Sequence, residues 1–295
     1  MSSEAAAGDL LAAVQASPAA VAAHDRARWV GLFASDGQIN DPVGSQPHNG
    51  HSAIERFYDT FIAPNGIRFQ VDQDIVCGWT VMRDLTIETT MSTGVKLQVP
   101  MHLRYDLVEQ NGALKIRRLY AHWELLPMIL QLLGTGPRGW WTAVKLGPQL
   151  IAHQGLGGVL GFMRGFAGVG AAGKRAAEAF LAALSRGDGQ AASKGLAENC
   201  SFELPAGGNV SLAELAPSLH RVHWRKLIAA GRHVTATITL GAGASGVVSF
   251  QFNDHSRINA VRIFVANPGQ LPACGERIEV RTDSQWWRES SRLKT

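Results

Sequence analysis

Asp41-Pro42-Val43-Gly44-Ser45 is the stretch around which the rest of the 295-residue chain is organised. Proline fixes its own φ, favours extended backbone at the preceding residue and lacks an N–H, so Asp41 lies on a stiff turn. Downstream, Gly50 precedes a predicted helix over 52–61, whose start is indicated by the capping-box pair Ser52 and Glu55. Its apolar side chains recur at helical spacing: Ile54, Phe57, Tyr58 and Phe61. A carboxylate beside this face would be partly desolvated, which favours a role as a base, whereas the simpler alternative is an ordinary turn aspartate.

The surrounding pattern predicts helices followed by an antiparallel meander. An Ala-rich helix is expected to end near Gln15, a second to restart at Ser17-Pro18, and a third to be capped by Asp25. Asn111-Gly112 is typical of a hairpin turn. Apolar residues then alternate with polar ones in two predicted strands: Ile67, Phe69 and Val71, and Val99, Met101, Leu103 and Tyr105. These elements together predict an α+β cone with one concave apolar mouth.

The second half of the chain repeats the first at a constant offset of 163 residues. The offset pairs six positions: Ser17 with Phe180, Asp25 with Asp188, Phe33 with Leu196, Asp41 with Leu204, Pro42 with Pro205 and Gly44 with Gly207. Later strand patterns recur as well, with Val248, Phe250 and Phe252 alternating. The sequence therefore predicts two tandem domains of the same α+β fold.

The stretch from about Ser17 to Glu124 resembles the ketosteroid isomerases (3-oxo-Δ5-steroid isomerases) of the NTF2-like and SnoaL-like superfamily. The resemblance is centred on Asp41 to Ser45, Ala53-Ile54 and Phe57-Tyr58. It implies a cone-shaped domain of helices packed on a curved sheet, with Asp41 as the catalytic base. In that family an aspartate moves a proton from C4 to C6 of the steroid, while a tyrosine and a protonated aspartate donate hydrogen bonds to the dienolate oxygen.

The resemblance also shows where this chain departs from the family. Ser17 stands where the donating tyrosine belongs. The second donor falls on Met101 or, in an alternative alignment, on His102; the strand alternation favours Met101 inside and His102 on the outer surface. Tyr58 is therefore the expected catalytic donor, by moving inward, with His24 as the next candidate. The residues expected to bind ligand are Phe57, Met101, Leu103 and Trp123.

The second copy lacks all three polar groups of the family's site. Leu204 replaces the base, Phe180 the tyrosine and Val248 the acidic donor. We expect this domain to be inert and to pack on the first as a built-in partner.

The expected boundaries are 1–124 for the first domain, 125–173 for a linker, 174–267 for the second domain and 268–295 for a polar tail. The linker is predicted to be helical and Gly-rich, with its apolar side covered by both domains. Contact of Trp140, Trp141, Lys145 and Arg164 with a membrane surface is the alternative. Gly155, Gly157, Gly158 and Gly161 do not form a dinucleotide motif, because no strand precedes them and no acid follows at the required distance.

Composition limits the remaining classes of function. Lys and Arg number 28 against 24 Asp and Glu, without a dense basic run, which gives no support for nucleic-acid binding. Cys77, Cys200 and Cys274 lie far apart, and neither a disulfide framework nor a metal site is expected. The first 15 residues lack a basic n-region, so we expect no signal peptide and a cytoplasmic location.

The function expected from these observations is binding of a flat hydrophobic, steroid-like ligand in the first cone, without a cofactor, and isomerisation through Asp41. Two alternatives stay open. The first is a non-catalytic sterol or lipid carrier, and the second is a SnoaL-type polyketide cyclase that would use an acid–base residue in the same cone. The sequence does not indicate whether the tandem pair oligomerises further.

Overall fold

The structure, a computed structural model, describes residues 7–142, 144, 168–204, 208–241 and 243–265. It confirms the predicted α+β architecture of two tandem domains, each built on a curved, mixed six-stranded sheet with helices on its concave side. None of the helices within these residues is long and apolar enough to cross a membrane. The Gly155–Gly161 segment and the polar tail from 268 lie outside the described residues.

The first domain begins with two helices and continues into its sheet. The elements are α1 (Ala7–Ala22), α2 (Arg26–Gly31), β1 (Phe33–Asn40), β2 (His48–Asn49), α3 (His51–Phe57) with a π-helical extension (Tyr58–Ile62), β3 (Gly66–Cys77), β4 (Thr80–Thr90), β5 (Lys96–Gln110) and β6 (Ala113–His122). The strand order is β2-β1-β6-β5-β4-β3, and only β1 and β6 pair in parallel. A connecting helix, α4 (Leu125–Gly134), follows, and residues 137–142 are helical again.

The second domain repeats this order. Its elements are α5 (Gly170–Ser185), α6 (Gly189–Ser193), β7 (Leu196–Glu203), β8 (Asn209–Val210), α7 (Leu212–Leu215) with a 3₁₀ turn (Ala216–Leu219), β9 (His223–Ala230), β10 (His233–Thr239), β11 (Ser245–Phe252) and β12 (Ile258–Val265). The sheet order β8-β7-β12-β11-β10-β9 matches that of the first domain. Strand β7 begins and ends 163 residues after β1, so the offset seen in the sequence corresponds to equivalent structural positions.

Asp25 and Asp188, which the offset also pairs, cap equivalent helices. The Asp25 carboxylate accepts a hydrogen bond from the backbone N–H of Arg28, and that of Asp188 accepts one from Ala191. Each carboxylate thereby satisfies one N–H that the first helical turn leaves without a partner.

Two of the predicted helix boundaries were wrong. Helix α1 runs without interruption through Ser17, with Pro18 inside it. The predicted capping box of Ser52 and Glu55 is absent, because α3 begins at His51. The N-cap residue is Gly50, whose φ of 74° suits glycine and which has no side chain to cap the helix.

The two sheets pack against each other through their convex faces. Apolar residues of both domains meet there in one buried cluster: Ile75, Cys77, Met82, Val247 and Phe264. The Cys77 thiol donates to the carbonyl of Val265 at 3.4 Å. The face of the first sheet that points away from its helices is therefore covered by the second domain.

His102 lies in this interface, so the expectation that it is a surface histidine was wrong. Its side chain points away from the first cone, as the alternation predicted, but it is fully buried. Its Nδ1 lies 2.8 Å from Thr235 Oγ1 and its Nε2 3.0 Å from Thr237 Oγ1. The period-2 pattern identifies the face of a strand but not what covers that face.

A buried carboxylate completes this polar cluster. Asp84 Oδ1 accepts from Lys226 Nζ at 2.6 Å, and Asp84 Oδ2 accepts from Thr237 Oγ1 at 2.7 Å. Burial alone would raise the pKa of Asp84, but hydrogen bonds and charge from His102 and Lys226 hold it below its ordinary value. Groups from both domains are therefore needed to keep this buried charge satisfied.

Gly44, which lies in the turn that carries Asp41, packs against the second domain. A Cβ at Gly44 would lie 2.5 Å from Gly231 Cα. We expect Gly44→Ala to lower the free energy of unfolding by about 1–3 kcal/mol through overpacking, in addition to about 1–2 kcal/mol for the positive φ. Urea denaturation measures this change.

Gly112→Ala is the matched control for this prediction. Gly112 also has a positive φ, 74°, but nothing lies within 4 Å of where its Cβ would be. The control is expected to show the backbone effect alone. Equal destabilisation by the two substitutions would contradict the close packing of Gly44 against Gly231.

Candidate functional site

A cavity of about 220 Å³ lies in the first domain, between the concave face of its sheet and the helices. Most side chains that line it are apolar, and they come from α1, α2, α3 with its π-helical extension, strands β3 to β6, the connecting helix α4 and the loops between these elements. The apolar lining residues are Val21, Trp29, Phe57, Phe61, Ile62, Pro64, Ile67, Phe69, Ile87, Met91, Leu97, Val99, Met101, Leu103, Leu119 and Met128. Such a lining suits a hydrophobic ligand held by a small number of polar groups.

Asp41 faces this cavity because of how β1 and β6 end. The strands pair in parallel, with Asn40 opposite Tyr120, so the residues that follow them emerge at the same edge of the sheet. There Trp123 Nε1 donates a hydrogen bond to Asp41 Oδ1 at 2.6 Å. The carboxylate and the indole both line the cavity.

The protonation of Asp41 is set by its apolar surroundings. Burial raises the pKa of Asp41 to about 6, and the hydrogen bond from Trp123 opposes that rise. A carboxylate with this pKa is mostly ionised at neutral pH and is more basic than an ordinary aspartate. It is therefore able to accept a proton and to give it back.

The turn that carries Asp41 is fixed by its neighbours. The buried Asn40 side chain accepts a hydrogen bond from the backbone N–H of Gly44 at 3.1 Å, and the N–H of Val43 donates to the carbonyl of Ala121 at 2.9 Å. These bonds hold the backbone on both sides of Asp41. Its carboxylate is thus not needed to stabilise the turn.

Tyr105 is a polar group of the cavity whose role the sequence reasoning missed. It lies on β5 and is 1% exposed. Burial raises the pKa of Tyr105 to about 12, while the charge of Arg83 and hydrogen bonds with Ser17 and Arg83 act in the opposite direction. The phenol stays protonated at neutral pH and can donate a hydrogen bond into the cavity.

Ser17 connects Tyr105 to the aromatic wall. The buried indole of Trp29 donates from Nε1 to Ser17 Oγ at 3.0 Å. Since Ser17 accepts this bond, its own proton is available for Tyr105. Arg83 lies opposite Leu103 on the inward face of the sheet, is 3% exposed and forms an ion pair with Asp74 at 2.7 Å.

The alternation in β5 held a signal for Tyr105. It is the one member of the inward series Val99, Met101, Leu103 and Tyr105 that carries an O–H group. The alternation alone groups it with the apolar residues. Arg83, which lies among the inward apolar residues of β4, was a second signal that the cavity contains polar groups.

The structure places Phe57, Met101, Leu103 and Trp123 in the lining of the cavity with Asp41. It does not bring Tyr58 there: the ring is buried against Trp29, with 5.5 Å between ring centroids. The hydroxyl of Tyr58 has no hydrogen-bond partner among the described residues, and burial raises its pKa. Donation by Tyr58 therefore requires an inward movement of the ring.

His24 is not brought to the cavity either. It is exposed and follows α1 with a φ of 52°. The structure therefore gives no support for His24 as a donor, because its side chain lies in solvent at the end of the helix.

The corresponding positions of the second domain are packed rather than open. Phe180, Leu204 and Val248 all belong to one buried apolar core. Phe180 also contacts Phe250 edge to face, with 5.6 Å between ring centroids. None of these three side chains can accept or donate a proton.

Residues 14–118 match the family model of the SnoaL-like domain, which confirms the resemblance to the SnoaL-like and NTF2-like superfamily. Among solved structures, the chain is similar to a Delta 5-3-ketosteroid isomerase from Mycobacterium sp., with 29% identity over 39% of this chain and 92% of that one, at a TM-score of 0.36. It is also similar to RV0760c from Mycobacterium tuberculosis in complex with estradiol-17beta-hemisuccinate, with 27% identity, coverage of 41% and 96%, and a TM-score of 0.37. An LEH-like epoxide hydrolase from the same organism matches at 16% identity, with coverage of 46% and 96% and a TM-score of 0.38.

Proposed function

We propose that the first domain, a SnoaL-like domain, binds a flat hydrophobic, steroid-like molecule and shifts a double bond in it by proton transfer through Asp41. The observation that carries this proposal is the position of the Asp41 carboxylate, which faces an apolar cavity. Burial there raises its pKa to about 6. A base of this strength, partly shielded from bulk water, is suited to removing a proton next to a carbonyl group.

The reaction needs one residue for both proton transfers. Asp41 takes a proton from C4 of a 3-oxo-Δ5-steroid, the electrons of the C–H bond move into the dienolate, and the carboxyl group returns the proton at C6. Asp41 ends as a carboxylate, so atoms and charge balance without a cofactor. The hydrogen bond from Trp123 Nε1 orients the carboxylate during both steps.

The developing dienolate oxygen also needs a hydrogen-bond donor, and we assign this role to Tyr105. Its phenol is protonated, and Ser17, which accepts a hydrogen bond from Trp29, lies beside it. Asp41 and Tyr105 both line the cavity, so the base and the donor face the same ligand. This arrangement would replace the two donors that the family has at the positions of Ser17 and Met101.

A non-catalytic carrier of hydrophobic ligands is the second candidate. The side chain at Met101 cannot donate, and the lining is largely apolar. A SnoaL-type cyclase would use the same base on a different substrate. Both alternatives share the cavity and differ from the isomerase in what happens after binding.

One experiment separates the isomerase from the carrier. The full chain is mixed with 5-androstene-3,17-dione, ligand binding is measured by calorimetry, and the conjugated enone is followed by its ultraviolet absorbance. The isomerase proposal predicts binding with turnover. Binding without turnover would identify a carrier, and the absence of both would contradict a steroid-like ligand.

A further inference from the structure

Helix α4, which follows the first sheet, is apolar on two sides. Its sequence, Leu-Leu-Pro-Met-Ile-Leu-Gln-Leu-Leu-Gly, has no charged residue. Leu132 packs against Val95 and Leu97, and Met128 lines the cavity. The opposite side carries Leu126 and Leu130, four residues apart, with 54% and 59% of their surfaces exposed. A helix that is apolar all round is normally covered by another surface.

The exposed apolar surface continues into the next helical segment. Trp140, Trp141 and Val144 are each about 60% exposed, between 58% and 63%. Gly139 packs on the backbone of Leu132 so closely that no Cβ would fit, which holds the two helical segments together. We call these exposed residues the outer face: Leu126, Leu130, Trp140, Trp141 and Val144. The expectation that this side of the linker is covered by the two domains was wrong for the described residues.

The sequence from 125 to 177, which contains the outer face, carries charges of one sign. From 125 to 177 the sequence contains five basic residues and no Asp or Glu; the basic residues are Arg138, Lys145, Arg164, Lys174 and Arg175. Among the described ones, Lys174 forms an ion pair with Glu124 at 2.6 Å. Arg138 is exposed next to the tryptophans. An apolar surface with basic residues at its edge is complementary to a bilayer that carries anionic headgroups.

We propose that the outer face binds the surface of a membrane rich in anionic lipids. Leucine and tryptophan side chains enter the region between headgroups and acyl chains, where the amphipathic indole is favoured, and the basic side chains contact lipid phosphates. This docking does not depend on whether Asp41 transfers a proton.

The position of the cavity connects membrane binding to the uptake of a hydrophobic ligand. Met128 of α4 and Thr142 of the next segment line the cavity. The two segments that carry the outer face therefore also form part of the cavity wall, and membrane binding would bring that wall beside the bilayer that holds hydrophobic ligands. A second copy of the chain is a poorer occupant, because it would bring these basic residues against one another.

Vesicle co-sedimentation of the full chain tests the proposal. Vesicles of phosphatidylcholine alone are compared with vesicles that contain phosphatidylglycerol as well. We expect binding to the anionic vesicles, weakened by salt, and a roughly tenfold or larger loss of affinity in the double variant Leu126→Glu and Leu130→Glu. Trp140→Ser is a second variant, in case the double variant does not fold.

Trp79→Ser is the matched control, because Trp79 is also exposed, at 40%, but lies in the turn between β3 and β4. It is expected to bind like the wild type. The proposal is overturned if the wild type binds neither kind of vesicle, or if the double variant binds equally well. It is also overturned if sedimentation velocity shows that the wild type is a dimer and that the double variant is a monomer. A lower melting temperature of the double variant, together with no vesicle binding by the wild type, would likewise overturn it.

Discussion

Asp41→Asn is expected to lower kcat/KM for the isomerisation of 5-androstene-3,17-dione by about 10²–10⁴-fold, because the amide cannot accept the proton from C4. The substitution keeps the size and shape of the side chain. Its amide oxygen can still accept the hydrogen bond from Trp123 Nε1. The loss should therefore be in the chemical step, measured as the initial rate of enone formation.

Ligand affinity is the control for this substitution. Since the amide has no charge to desolvate in the apolar cavity, we expect Asp41→Asn to bind the steroid at least as tightly as the wild type. A variant that keeps the wild-type rate would show that Asp41 is not the base. A variant that loses binding and rate together would instead indicate damage to the cavity.

Tyr105→Phe is expected to lower kcat by about 10²–10³-fold, the usual effect of removing one oxyanion donor. The ring of Tyr105 stays in the wall of the cavity, and only the O–H group that we assign to the dienolate oxygen is lost. Removing the O–H group also takes away the polar atom that Ser17 and Arg83 face. The rate is measured with saturating steroid, so that any change in affinity does not contribute.

Tyr58→Phe is the matched control, because it removes the same atom from a buried tyrosine whose hydroxyl has no partner within the described residues. We expect its rate to stay within about threefold of the wild type, since no hydrogen bond is lost. The opposite result, a large loss in Tyr58→Phe and none in Tyr105→Phe, would mean that Tyr58 moves inward and acts as the donor.

The fold could be predicted because its determinants are local. The stiff turn at Asp41, the Asn111-Gly112 hairpin and the helix caps at Asp25 and Asp188 each follow from the chemistry of a few neighbouring residues. The offset of 163 residues then allowed the elements assigned in the first domain to be assigned in the second domain as well. Strand alternation was enough to place Met101 and Leu103 on the inside.

What could not be predicted depends on contacts between distant segments. His102 and Asp84 are buried by β9 and β10 of the second domain, and nothing in their own strands indicates this cover. The hydrogen-bond donor was equally hard to predict, because Tyr105 fits the alternation of apolar residues in β5 as well as a phenylalanine would. Its polar role emerges only when Ser17 and Arg83 come together from other elements.

The pH dependence of kcat/KM tests the central claim, that Asp41 is a base tuned by an apolar cavity, most directly. The base must be ionised, so the rate should rise with pH and level off above an apparent pKa of about 6. Between pH 5 and pH 7 this corresponds to an increase of about tenfold, whereas an aspartate with an ordinary pKa would give almost none. A profile that is flat over this range in the wild type, or a rise that persists in Asp41→Asn, would contradict the assignment.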